Sequence, residues 1–173
     1  MIITVDDLRK QVDCGTTTDD LITAHLEAIE AVIRAYTNNN FQQRAVRFMG
    51  SSSGMILNGD PQHFAVGDTV QISGNGLNDG LYQVTDVGAD YIQVDKYLLD
   101  TFANLVTKVQ YPADVVQCAV DLFKWKQTMG DKVGIKSETL SRHSVSYEDS
   151  ATLFMGYPVG ILNGLKLHKK ARC

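Results

Sequence analysis

The sequence predicts an α+β protein: a small helical bundle interrupted by an inserted small β-sheet or barrel module and followed by an extended C-terminal tail. Three observations carry that expectation. Apolar residues recur at helical spacing in residues 1–43 and again after residue 111. Between them the period shortens to two and glycines concentrate, the pattern of short strands and turns. The last residues, 165–173, mix basic and apolar side chains with no acid. Two helical stretches separated by strands are most simply satisfied when the helices share a core and the strands are looped out. The expected divisions are a helical body (1–43 and 111–164), an inserted β module (44–110) and a basic tail (165–173).

Each element has its own local signal. Thr4-Val5-Asp6-Asp7 sets a hydroxyl three residues before a carboxylate, a capping-box-like start for a short helix ending near Gly15. Thr17-Thr18-Asp19-Asp20 repeats it. Behind it Leu21, Ile22, Leu26, Ile29, Val32, Ile33 and Tyr36 form one stripe, stopped by Asn38-Asn39-Asn40. In the β module Val46 and Phe48, Val70 and Ile72, Tyr82 and Val84, Ile92 and Val94, and Val106 and Val109 mark roughly five short strands. Asn78-Asp79-Gly80 is the expected tight hairpin, with Gly67-Asp68 and Gly88-Ala89-Asp90 as further turns and Ser51-Ser52-Ser53-Gly54 as a loop. Helix resumes at Tyr111-Pro112, with Asp114 in the first turn and Val115, Val116, Ala119, Val120, Phe123 and Gln127 along one face. Residues 135–147 alternate as a strand does, and a short helix is expected from near Pro158 to Asn163-Gly164.

Composition narrows the class. With 44% hydrophobic and 21% charged residues the chain has the makings of a globular core. Its apolar runs are too short for a spanning helix, and no basic-then-apolar leader opens it, so a protein made and kept in the cytoplasm is expected. Cys14, Cys118 and Cys173, odd in number and widely spaced, read as reduced thiols. The net charge of −4 is unevenly spread. Residues 1–43 carry 3 basic and 7 acidic side chains, 44–110 carry 4 and 7, and 111–173 carry 9 and 6. No acid follows Asp149, so the chain ends as a basic segment on an acidic body.

Signals for chemistry are weak. Gly74-Asn75-Gly76-Leu77-Asn78-Asp79-Gly80 is spaced GxGxxxG and precedes a strand, whereas a phosphate loop opens a helix. His25, His63, His143 and His168 are scattered, with no metal-binding spacing. Cys118 sits among valines as a small hydrophobe does, and Asp79, Asp86, Asp90 and Asp95 fit turns and solvated strand faces. His63 reads as a loop imidazole and Trp125 as the rim of a helix packing surface. No catalytic, cofactor-binding or metal-binding residue is assigned, and the chain is expected not to be an enzyme. The terminal segment is the exception: Leu165, Lys166, Leu167, His168, Lys169, Lys170 and Arg172 alternate apolar with basic, as a strand added to a partner's sheet would.

One resemblance goes further. Gly134-Ile135-Lys136-Ser137-Glu138, then Ser144-Val145-Ser146-Tyr147-Glu148, then Gly156-Tyr157-Pro158 and finally Lys169-Lys170-Ala171-Arg172, on the helix, helix, β, helix order, resemble the head-tail connector (adaptor) proteins of long-tailed bacteriophages and prophages. The resemblance covers the helical zones and the tail, about two thirds of the chain. Gly67-Asp68-Thr69-Val70 and Asn78-Asp79-Gly80-Leu81-Tyr82 look like a recurrent phage β-module. It implies a connector-type helical bundle and a structural virion protein: a ring, usually of twelve subunits, beneath the portal. Such a ring extends the channel for double-stranded DNA, without sequence-specific binding, and presents a surface to the stopper or tail-completion protein. It also implies that the terminal residues named above bind the portal, that no cofactor is used, and that the protein resides at the head-tail interface of the virion. Two other classes compete. A small β-barrel nucleic-acid module is disfavoured by the −3 charge of residues 44–110, and a small hydrolase by the missing nucleophile-base pattern.

Overall fold

The computed structural model describes residues 1–129 and 153–171 and, as backbone, 137–140 and 143–146. The chain forms two compact units, one of Met1 and Asn40–Tyr111, the other of Ile2–Asn39 and Pro112–Cys173. The expected fold class is overturned. Strands dominate a mixed α/β structure around a four-stranded antiparallel sheet, so this is not a small helical bundle carrying an insert. The expected extended tail is not extended either, because residues Asn163–His168 wind into a 3-10 helix.

In the second unit, α1 (Val5–Arg9) starts where Thr4 accepts a hydrogen bond from the Asp7 N–H at 3.1 Å. It ends at Arg9, well short of the expected Gly15. Helix α2 (Asp19–Thr37) buries Ile22, Leu26, Ile29, Val32 and Ile33 and ends on Asn38, whose φ of 48° is the left-handed stop that asparagine tolerates. Leu21, expected on the same stripe, is half exposed. Helix α3 (Ala113–Met129) packs on α2 and buries Val115, Cys118, Ala119, Val120, Leu122 and Phe123. Strands β5 (Ser137–Leu140) and β6 (His143–Ser146) pair antiparallel, as do β7 (Leu153–Phe154) and β8 (Tyr157–Pro158) around a Met155-Gly156 turn with both residues at positive φ. Gly134, Ile135, Lys136, Tyr147, Gly130, Arg172 and Cys173 lie outside the described residues. Helix α4 (Val159–Leu162) and the 3-10 helix close the chain against α3.

The first unit consists of β1 (Gln42–Asn58), β2 (Thr69–Ser73), β3 (Gly80–Val87) and β4 (Tyr91–Val109). The last two expected strands are one, since Ile92, Val94, Val106 and Val109 all lie on β4. β4 pairs with β1 from Gln42↔Val109 to Asn58↔Tyr91, with β2 through Leu105 to Val109, and with β3 through Ile92 to Val94. β2 and β3 also pair with each other, so the sheet curls back on β4 like a small barrel. Its core comprises Phe48, Leu57, Phe64, Val70, Ile72, Val84, Ile92, Val94, Leu98 and Val106.

Strands this long can bend around such a core only with irregularities. The β1–β4 register shifts repeatedly between Gly50 and Ile56. Ser51-Ser52-Ser53-Gly54, expected as a loop, is therefore strand, and Gly50 is required there because a Cβ would stand 1.9 Å from the Asn58 carbonyl oxygen. A buried amide cluster fixes the bend. Asn78 Nδ2 donates to Leu99 O at 2.9 Å and Ser52 Oγ at 3.0 Å, while its Oδ1 accepts from Leu99 N at 2.9 Å. Asn104 Nδ2 donates to Gly50 O at 3.1 Å, and its Oδ1 accepts from Asn75 Nδ2 and from Thr101 Oγ1. The expected tight Asn78-Asp79-Gly80 hairpin is instead a longer loop in which Gly74 and Gly76 take positive φ and Asn75 Oδ1 receives Leu77 N and Asn78 N.

Candidate functional site

The terminal segment singled out by the sequence is clasped by the end of α2. Lys170 N donates to Thr37 O at 2.8 Å. Asn38 Nδ2 donates to Lys170 O at 3.3 Å and Ala171 O at 3.1 Å, and Asn39 Nδ2 donates to His168 O at 3.1 Å. The asparagine run thus does more than stop a helix, because its side-chain amides take up the backbone carbonyls of the chain end. Lys169 Nζ lies 3.8 Å from the centroid of the Tyr36 ring, whose hydroxyl donates to Asn163 Oδ1 at 3.2 Å. His168 Nε2 meets Asp114 Oδ2 at 2.6 Å, and this hydrogen bond holds the Asp114 carboxyl below the usual carboxylate range.

The residues assigned to the tail therefore separate by role. Leu165, 1% exposed, is core. Leu167, 94% exposed, and Lys166, Lys169 and Lys170 face solvent, His168 is half-buried at Asp114, and Arg172 lies outside the described residues. The segment is not the extended strand that edge-strand addition needs. A 3-10 helix with its following carbonyls already bonded to Asn38 and Asn39 has no extended edge to offer.

Beside the clasp is a cavity of about 280 Å³ lined by Asp114, Gln117, Cys118, Asp121, Ile161 and Leu165. A thiol, a carboxylate and an imidazole on that carboxylate invite comparison with a nucleophile-base-acid set. The electrostatics run the wrong way. Burial first, then the charges of Asp121 and Asp114, push the Cys118 thiol up to about 11, and Sγ sits 3.8 Å from Ile161 O. An activated cysteine needs the opposite shift. Among the described residues no group of three or more His, Cys, Asp or Glu side chains converges as metal ligands would, and no helix is long and apolar enough to cross a membrane.

A second surface escaped the sequence reading. On the β1–β4 ribbon Phe102 is 100% exposed, Tyr97 73%, and Met49 and Leu99 more than half exposed. Tyr97 and Leu99 flank the fully buried Leu98, so alternation turns both away from the core. The available signal was Tyr97-Leu98-Leu99 itself, since three consecutive apolar residues on a strand cannot all face inward. The chain matches no protein-family model and no curated protein.

Proposed function

We propose that the chain is a structural subunit of a tailed-phage head-tail connector, forming a ring beneath the portal that prolongs the DNA channel and receives the stopper or tail-completion protein. The observation that carries the reading is the terminal segment, whose backbone carbonyls are bonded by Asn38 and Asn39 while Lys166, Leu167 and Lys170 project outward. A preorganised basic and apolar surface of this kind docks without paying to order a tail. Portal binding then runs through these side chains together with Lys169 and His168, and Leu165 anchors the segment from beneath. A nucleic-acid module is the second reading, for which exposed Tyr97 and Phe102 offer stacking faces. The 7 acids against 4 bases in residues 44–110 weigh against it.

The test is co-sedimentation with purified portal rings at low and high salt. Deleting 165–173 is a poor variant because it removes buried Leu165 and the clasp. Lys166→Gln with Lys170→Gln, and separately Leu167→Ser, should keep the wild-type melting temperature and weaken docking, the lysine pair also flattening its salt dependence. Docking at wild-type affinity by both variants would move the portal contact off this segment.

A further inference from the structure

We propose that two neighbouring stretches of the β1–β4 ribbon are the complementary halves of a head-to-tail contact between copies of this chain. One stretch, in the middle of β4, carries Tyr97, Leu99 and Phe102 with Asp95 and Asp100, all exposed, where β4 faces the bulged stretch of β1. The other, toward the Gln42↔Val109 end, carries exposed Arg44, Arg47 and Met49 on the half of β1 that pairs with Leu105 to Val109. Each stretch therefore offers apolar surface bordered by charge, and the two charges are opposite.

The charge distribution within the unit selects this occupant. The four basic residues of 44–110 are Arg44, Arg47, Lys96 and Lys108. Lys108 is consumed by Asp68 at 2.6 Å, and Lys96 lies within the acidic stretch, which it leaves with one net negative charge against two positive ones on Arg44 and Arg47. Two copies meeting through the acidic stretch alone would set Asp95 and Asp100 against their own copies. Acidic stretch on basic stretch pairs unlike charges and covers Phe102, and when repeated in one direction this contact is heterologous and closes into rings if its rotation permits. The inference rests on the ring reading for its biological sense and names the contact between neighbouring subunits. Its test contains no portal, so self-association and portal docking are read separately.

Sedimentation velocity of the full chain at low salt, up to about 0.5 mM, would detect pairing even at a Kd of about 1 mM. Wild type should associate with rising concentration. Arg44→Glu with Arg47→Glu, Asp95→Lys with Asp100→Lys, and Phe102→Ser should each weaken association by about 10-fold or more, with unchanged melting. An equimolar mixture of the two charge variants should associate again, because each then presents the partner of the other. Asp95 Oδ1 accepts from Gln83 N at 2.9 Å, so Asp100→Lys alone is the substitute if the double variant melts early. A monomeric wild type, charge variants that associate as wild type does, or a mixture no better than its parts would each overturn the proposal.

Discussion

Replacing Asn78 with alanine probes the device that bends β1 and β4. The side chain is 3% exposed, and it holds both polar groups of Leu99: Oδ1 accepts from the N–H and Nδ2 donates to the carbonyl, each at 2.9 Å. Alanine removes both of these hydrogen bonds, worth about 1 kcal/mol each, together with the one to Ser52 Oγ, and leaves Leu99 N without this acceptor, a loss of about 1 to 3 kcal/mol when buried. The Leu99 carbonyl keeps Ser52 Oγ at 2.7 Å, which limits the damage on that side. The expected destabilisation is about 2 to 4 kcal/mol, a large part of a small domain's stability. Urea unfolding followed through a β-sheet signal gives the value from the shifted midpoint. Asn78→Asp keeps the shape but turns a carboxylate oxygen on Leu99 O and Asn104 Oδ1, so it should cost more than alanine. A loss under about 1 kcal/mol for alanine, or an aspartate variant more stable than the alanine one, would refute the claim that this amide cluster is structural.

Other consequences are open to measurement. Peptide mapping after iodoacetamide treatment at pH 8 should find Cys118 almost unlabelled in the folded chain and fully labelled in urea, because a thiol pushed up to about 11 is deprotonated in only about one molecule in a thousand there. Folding keeps that thiol protonated beyond its ordinary range, so this group's contribution is intact below about pH 9 and is lost as pH rises towards 11, which stability measurements across the alkaline limb would show. Asp114 is shifted the opposite way, so its contribution is present above the unfolded carboxyl value and lost as pH falls through the folded one. Asp114→Asn should lower stability slightly at pH 7 and by less as pH falls below the ordinary carboxylate range, the effect being small because the carboxylate is largely exposed. Replacing residues 44–109 with a linker of about four residues should preserve the helical circular dichroism and a cooperative melt, since Gln110 N bonds Phe41 O at 2.9 Å and the two ends of the excised segment are adjacent.

Local signals were readable where one neighbour decides the outcome. The stripe on α2, the Thr4 cap and the Asn38 stop each follow from spacings of three or four residues, and the structure places them as the spacing implies except at the stripe's two ends, where Leu21 is half exposed and Tyr36 only partly buried. The sheet was less legible because bulges hide continuity. Between Val94 and Val106 the alternation breaks, and only the pairing with β1 reveals that β4 passes through the break as one strand. Asn78 read as a turn residue, Asn75 as part of a glycine-spaced run, and Asn104 carried no signal, since their use is to satisfy buried backbone, which composition does not display. The terminal clasp had no local signal at all. Its bonds join residues 129 to 133 positions apart, and a basic alternating run looks the same whether it is a free strand or a segment tied to asparagines.

Both candidate surfaces are backed by asparagine side chains bonded to backbone, and that gives a way to separate support from contact. Asn78 touches none of the solvent-facing atoms of Tyr97 or Phe102 in any bond it makes, yet it fixes the backbone of Leu99 between them. Asn78→Ala should therefore weaken self-association together with stability, whereas Phe102→Ser should weaken association alone, because a fully exposed side chain contributes nothing to the core. The clasp predicts the same division. Asn38→Gly, which keeps the positive φ of the helix stop, leaves the Lys170 and Ala171 carbonyls to solvent without altering any basic side chain, so hydrogen exchange of the Lys170 amide should accelerate and portal docking should fall, while Leu167→Ser should affect docking with exchange unchanged. If loosening Asn38 speeds exchange and docking stays intact, preorganisation of the segment is not what the portal reads, and the contact depends on its charges alone.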